Sequence, residues 1–476
     1  MNTLHRCALF VSVAACLFVG PADPSAQSAR PQTQAQAAAG QPTKQGPLVS
    51  QILKNGLEII VLEDHSVPLV TIDVAVRNGS FTEPPELNGL SHLYEHLFFS
   101  PNDAPKRPGV DPDEQPPGIV YNGSTREEVV EYYFTTTTPN FEVAARMLAD
   151  STRWPSFKEQ FLAREREVVI GEMDRRDSNP FSELEKARDD RLFFKYPTRK
   201  QPIGTRATVR GATSDMMRLI QNRYYVPNNS AVVIAGDVTP AAAFKTMESL
   251  FGDWPRRKVD PFVEFPIVDH PPLPSSSGVI LTAEIQPVII EVGWQGPSVG
   301  KDDQATYSAD VFSFVLGQPN SKFQRALVDS GLATAVDFNY YTQRNVGPIA
   351  ALIQTTPDKA KAAVKALWEQ ISHFADANYF TDEELASSKA LLEADDLYSR
   401  EKPSEYVHNI AFWWSSTGLE YFRGYLGHLK TTTRADIATY LNRYVIGKPH
   451  VSVAMMSEGA KRSSGLTVDD LIGAVK

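Results

Sequence analysis

The stretch Thr213-Ser214-Asp215-Met216-Met217-Arg218-Leu219-Ile220-Gln221-Asn222-Arg223-Tyr224 reads as a helix, and the apolar run Ala231-Val232-Val233-Ile234 after it reads as a strand. At an offset of 220, Thr433 to Tyr444 ends in the same tripeptide, Asn442-Arg443-Tyr444, and is followed by Val451-Ser452-Val453-Ala454. Thr137-Thr138-Pro139 before one helical segment is echoed by Thr355-Thr356-Pro357 before another, at the nearby offset of 218. Recurrence of the same elements in the same order points to an internal duplication. Each half mixes strands and helices without strict alternation, so the chain is expected to form two homologous α+β domains.

Other segments fill in that frame. Leu57 to Leu62 and Val70 to Val76 have strand character, the second with alternating polarity. A helix is expected from Leu90 to Phe99, a strand pair around Asn122 to Thr138, and helices from Phe141 to Asp150 and from Phe157 to Arg176, the last ended by Asn179-Pro180. Residues 259–278 carry five prolines and no periodicity, which predicts a stiff linker. The resulting division is 1–26 leader, 27–47 flexible tether, 48–258 first domain, 259–278 linker, 279–460 second domain and 461–476 C-terminal tail.

The leader has the pattern of a secretory signal peptide: Arg6, then an almost unbroken apolar run from Cys7 to Val19, then Gly20, Pro21 and the small residues Ser25 and Ala26. Cleavage is expected near Ala26, giving an exported, periplasmic protein. Val13-Ala14-Ala15-Cys16 resembles a lipobox and offers the alternative of a lipid anchor at Cys16. Both cysteines, Cys7 and Cys16, lie in the leader, so a chain cut at Ala26 has no disulfide and relies on its core. With 47 basic and 57 acidic residues the net charge is −10, which argues against a broad grip on nucleic acid. Past the leader no apolar run approaches the roughly 18 residues needed to span a bilayer.

The chemistry concentrates in His92-Leu93-Tyr94-Glu95-His96. On a helix, positions 92, 95 and 96 share one face, while Leu90, Leu93, Tyr94 and Leu97 form the core-facing stripe. Two imidazoles one turn apart can grip one metal ion, and a carboxylate beside them can move a proton. A catalytic zinc takes three protein ligands and keeps one position open. The candidate for the third lies in Glu165-Arg166-Glu167-Val168-Val169-Ile170-Gly171-Glu172, where Phe157, Phe161, Glu165, Val168 and Glu172 follow helical spacing. Carboxylates in an apolar stripe are costly unless paired or bound to metal, although a solvated acidic face is the alternative reading.

These residues resemble the pitrilysin/insulinase family of inverted zincins, which includes the mitochondrial processing peptidase. The step from His96 to Glu172 is 76 and that from Glu165 to Glu172 is 7, the family's spacing. Tyr121-Asn122-Gly123-Ser124-Thr125 is similar to the family's Asn-Ala-x-Thr strand, with Gly123 where alanine is usual. Pro202-Ile203-Gly204-Thr205, Tyr225-Val226-Pro227-Asn228-Asn229 and Ala235-Gly236-Asp237 match in order, so the likeness runs from about Leu48 to Met456. It implies Zn2+ bound by His92, His96 and Glu172, Glu95 as general base toward the attacking water, Glu165 orienting a zinc-binding histidine, and Asn122 on an edge strand that receives substrate. The implied activity is a zinc endopeptidase acting on extended peptides or unfolded segments, with 48–258 the catalytic domain.

The second half departs from that pattern. At the same offset, Phe312, Val315 and Leu316 stand opposite His92, Glu95 and His96. Active members of the family carry an Arg and a Tyr seven positions apart that hold substrate. In Ala326-Leu327-Val328-Asp329-Ser330-Gly331-Leu332-Ala333-Thr334 those places fall to Leu327 and Thr334. The resemblance therefore implies a zinc subunit, half of a clamshell, whose partner is a related non-catalytic chain bearing the Arg/Tyr pair. Alternatives are a monomer or homodimer that holds substrate through Arg344 or Tyr341, a structural or assembly subunit of the same fold, and a maturation protease dedicated to one partner peptide.

Overall fold

The computed structural model describes residues 47–107 and 118–473. The leader over 1–26, with both Ala26 and Cys16, lies outside the described residues, as does the tether except for its last residue, Pro47.

Two mixed sheets organise the chain. The first contains β1 (Leu48–Ile52), β2 (Glu58–Glu63), β3 (Leu69–Val76), β4 (Val120–Thr125), β5 (Val130–Thr137) and β6 (Ser230–Gly236), in the order β1-β2-β6-β3-β5-β4. The second contains β7 (Ser277–Thr282), β8 (Val288–Gln295), β9 (Ala335–Tyr340), β10 (Pro348–Thr355) and β11 (His450–Met456), in the order β7-β11-β8-β10-β9. Without β1 the two orders are the same. In each sheet one pair is parallel, β2 with β6 and β7 with β11, and the other neighbours are antiparallel. The duplication read from Asn-Arg-Tyr is thus a repeat of whole sheets, and the fold is the expected pair of α+β domains.

The strands sort their residues by face. On β3, Val70, Ile72, Val74 and Val76 enter the core beneath α1 (Leu90–Phe98), α2 (Phe141–Arg153) and α3 (Glu159–Asp177), together with Val232 and Ile234 of β6. The other face is not open to water. Ile60, Leu62, Ala231, Val233 and Ala235 pack against Tyr406, Val407, Ile410, Ala411 and Trp414 of the helix Pro403–Ser416, which belongs to the second half of the chain. Burial on both faces explains why β2 and β6 read as unbroken apolar runs. The second sheet is treated in the same way. α4 (Pro180–Leu192), from the first half, lays Leu184 and Leu192 against Ile289, Val451, Val453 and Met455. Each half therefore lends a helix to the back of the other half's sheet.

α3 ends at Asp177, ahead of Asn179-Pro180 as expected. A further helix follows at once: the Asn179 side chain accepts from the Phe181 amide and opens α4, with Pro180 at its first position. Two expectations change. The linker expected over 259–278 is shorter at both ends, because Pro261–Glu264 is a helical turn and β7 begins at Ser277. The segment expected as a tail over 461–476 is folded through residue 473: the helix Val468–Leu471 packs on β7, and Leu466 and Leu471 are buried in the second core because they complete its apolar floor. No described helix is long and apolar enough to cross a membrane.

Candidate metal centre and active site

α1 is held from its apolar side. Leu90, Leu93, Tyr94 and Leu97 are fully buried, and the Tyr94 ring stacks on Tyr225 with centroids 4.0 Å apart. Gly89, at φ 89°, precedes the helix and has no side chain with which to cap it. The cap comes from Glu83, whose carboxylate accepts from the Gly89 amide at 2.7 Å and the Ser91 amide at 2.6 Å. An anion at a helix N-terminus answers both the orphan amides and the dipole. Burial pushes the Glu83 carboxyl up to about 7, against the pull of those amides. Gly89 must be glycine for a second reason: a Cβ there would lie 2.6 Å from the Cα of Gly204. The Ile203-Gly204 backbone crosses the helix start, which gives the Pro202-Ile203-Gly204-Thr205 stretch a physical role.

With its apolar side fixed, α1 turns His92 and His96 toward α3. On α3 the buried positions are Leu162, Glu165, Val169, Ile170 and Met173. The stripe expected from spacing was off by one position: Phe157 precedes the helix and Val168 is 43% exposed, with Val169 taking the inward place. Glu172 reaches both imidazoles through a single oxygen, Oε2, 3.4 Å from His92 Nε2 and 3.5 Å from His96 Nε2. The donor atoms of His92, His96 and Glu172 all lie within 4.8 Å of one another. Glu165 Oε2 sits 3.3 Å from the far nitrogen of His96, Nδ1, and Arg164 holds the other Glu165 oxygen at 2.7 Å. Two imidazole nitrogens and one carboxylate oxygen converging on one point, with a second carboxylate behind one imidazole, form a donor set that suits zinc.

The electrostatics favour the same use. Burial, then the neighbouring His96, holds the His92 imidazole down to about 4, so it is neutral and able to ligate at ordinary pH. At His96 burial pulls down, but the Glu172 hydrogen bond and the nearby carboxylates raise it overall. The His96 hydrogen bond lowers Glu172. Glu95, 9% exposed, is pushed up to about 7 by burial, against the Thr125 hydroxyl that donates to its Oε2 at 2.7 Å. A carboxylate poised near neutrality suits proton transfer. Gly123 lies against the same side chain: a Cβ there would meet Glu95 Cγ and Oε1 at 2.8 Å, so the glycine gives Glu95 its room.

β4 is the outer strand of its sheet, and Asn122 lies on it, exposed. Asn122 pairs in register with Tyr133 and Gly123 with Tyr132. Because Gly123 faces Glu95, the Asn122 side chain points to the opposite face, away from the metal donors. Sequence reasoning missed Thr125, Glu83 and Arg164. Thr125 stood inside a quoted motif, but the other two act through contacts that spacing does not reveal. A second cluster, Asp73, Glu131 and His408, also brings three donors together. There His408 Nδ1 is 2.9 Å from Asp73 and 3.0 Å from Glu131, which are hydrogen-bond lengths.

In the second half Phe312, Val315 and Leu316 are buried, leaving an apolar helix where the first half has its donors. Leu327 is fully buried in the second core, while Thr334 is exposed and donates to the Gln354 carbonyl. The Arg344 guanidinium bonds the carbonyls of Ser415 and Ser416, and the Tyr341 ring stacks on Phe412.

Known proteins resemble this chain in sequence and in fold. The zinc protease PqqE of Helicobacter pylori is 24% identical over 407 residues, 83% of this chain and 89% of that protein. An uncharacterized zinc protease of Bacillus subtilis, YmxG, is 25% identical over 354 residues, 73% of this chain and 83% of its own length. The crystal structure of a protease from Helicobacter pylori superposes with a TM-score of 0.76 at 22% identity, over 87% of this chain and all of that one. The model of the insulinase family (peptidase family M16) matches residues 58–205, and the model of the peptidase M16 inactive domain matches residues 212–392. Together they cover more than half of the chain, and the protein belongs to the insulinase family of peptidases, M16.

Proposed function

We propose that this chain is an exported zinc endopeptidase whose metal is held by His92, His96 and Glu172. The observation that carries the reading is the convergence of those three donors within 4.8 Å, beside Glu95. Zinc, when bound, supplies Lewis-acid polarisation of the scissile carbonyl and acidifies water. Glu95 takes the proton of the attacking water and passes it to the leaving amine. Thr125 holds Glu95 Oε2 and so fixes the direction of Oε1. Glu165 keeps the His96 ring oriented through Nδ1 and, with Glu172 engaged at Nε2, fixes which nitrogen faces the metal. An extended peptide adds to the outer edge of β4 beside Asn122, a mode that grips main chain and leaves selectivity loose. A purely structural subunit would have no use for four aligned polar residues on α1 and α3.

The same reading assigns a partner. Positioning the peptide can be worth several kcal/mol of barrier, and a zinc site alone does not supply it. Leu327 is sealed in the core and the Thr334 hydroxyl is bonded to the Gln354 carbonyl, so the substrate-holding pair comes from a related exported chain that closes on this one as a clamshell. The periplasm follows from the leader. The test is hydrolysis of a random peptide library by the purified mature chain, alone and mixed with a related chain from its host. The reading predicts weak or no turnover alone and at least about a 100-fold gain on mixing. Full activity of the isolated chain, unchanged by the partner, contradicts the divided site, and no activity in either arm contradicts the peptidase.

A further inference from the structure

Behind the first sheet, the exchanged helix Pro403–Ser416 inserts His408 between two buried carboxylates. Asp73 on β3 and Glu131 on β5 are 0% and 1% exposed. They are diagonal neighbours, since Asp73 pairs with Tyr133 and Ala75 with Glu131. His408 Nδ1 meets both, and its ring lies edge-on to Tyr133 with centroids 4.4 Å apart. Two carboxylates in an apolar wall need a cation between them.

The second sheet shows what folding alone requires there. Arg188 of α4 stands to the second sheet as His408 stands to the first, and it bonds Glu291 on β8, the strand that takes the place of β3. The duplication offset relates both pairs: it is 220 between Arg188 and His408 and 218 between Asp73 and Glu291. Gly293 makes room for the Arg188 stem. On β10 the positions that match Glu131 and Tyr133 are Ala350, opposite Gly293, and Leu352, opposite Glu291. There the cation lies between one strand carboxylate, Glu291, and Asp189 of its own helix, 2.8 Å from Arg188 Nε. The first half instead sets its second carboxylate, and an aromatic ring, on β5. Those two residues are the direct cross-strand partners of the outer strand: Glu131 faces Ser124, and Tyr133 faces Asn122.

We infer that His408, contributed by the half without the zinc donors, is a positioning residue for the substrate-receiving strand, acting through Glu131 and Tyr133 on β4. The inference rests on the proposed reading that peptide adds at β4. It makes the second half part of the catalytic half's machinery without any contact with the metal.

The test compares His408→Gln, His408→Arg and Tyr133→Leu in the full mature chain, assayed with its partner chain. His408→Arg copies the cation of the sister site. Tyr133→Leu copies the sister residue and removes the ring that lies between His408 and the cross-strand neighbour Asn122, while leaving the buried charges in place. All three are expected to keep zinc at wild-type stoichiometry. KM is expected to rise about 10-fold in Tyr133→Leu and His408→Gln, with kcat changed less than 3-fold, because peptide binding and not chemistry is disturbed. His408→Arg is expected to return KM to within about 3-fold of wild type. Should His408→Gln fail to fold, Tyr133→Leu decides alone. An unchanged KM in Tyr133→Leu, or loss of zinc and kcat together, overturns the inference while leaving the peptidase reading intact. An inactive wild type, with its partner present, overturns the reading beneath it.

Discussion

Glu165 illustrates what one carboxylate can do behind a metal ligand of the proposed site. It is 8% exposed, bonded to His96 Nδ1 on one side and to Arg164 on the other, so its loss frees the ring without removing a donor. Glu165→Gln is expected to weaken zinc by about 10–100-fold, whereas His96→Ala, which removes a donor, is expected to lose stoichiometric zinc altogether. Metal analysis after dialysis against graded chelator separates the two. A full complement of zinc in His96→Ala would place the metal elsewhere. At this scale the sequence was legible where residues share one helix, because i, i+3 and i+4 spacing fixes a face without any knowledge of the fold. His92, Glu95 and His96 were found that way. Glu165 and Glu172 stood out as carboxylates in the α3 stripe, although that stripe put Val168 inward in place of Val169, and the family's spacing was needed to divide their roles. Thr125 and Glu83 reach their partners across loops, and no periodicity announces such contacts.

Among the elements, α1 depends on a cap that its own N-terminus cannot supply. Gly89 is required by the crossing of Gly204, and glycine leaves the first amides without a side-chain acceptor. Glu83 fills that place from the preceding loop. Glu83→Ala is expected to cost about 2–3 kcal/mol, read as a lower urea midpoint, because it strands buried amides as well as removing a favourable charge. Glu83→Gln, which keeps an acceptor, should fall between. A midpoint unchanged in Glu83→Ala would mean that the helix start is held by its apolar contacts alone. The same scale holds a helix that the sequence reading left out. Asn179-Pro180 carries both a stop signal for the helix before it and a start signal for the helix after it. The start signal governs α4, since the Asn179 side chain caps the Phe181 amide and proline suits the first helical position. The strands of the first sheet were legible because β2 and β6 are apolar on both faces. What covered the second face was not, because the covering helix comes from the far half of the chain, beyond the reach of any local pattern.

For the whole molecule, the repeated Asn-Arg-Tyr was enough to announce two similar halves, and the matching strand orders extend that likeness to the sheets. Sequence could not announce the exchange of α4 and the helix Pro403–Ser416, which makes the halves interdependent, nor that the last segment, read as a tail, belongs to the second core. This exchange also frames the division of labour: one half offers the donors on α1 and α3, and the other braces its sheet from behind. The central claim is that the donors hold zinc for a reaction in which Glu95 moves the proton. Its most direct test is zinc content measured beside peptide turnover in Glu95→Gln and wild type, each with the partner chain present. The account predicts one zinc per chain in both, with turnover in Glu95→Gln lower by several orders of magnitude. Near-normal turnover in a zinc-loaded Glu95→Gln protein would contradict it.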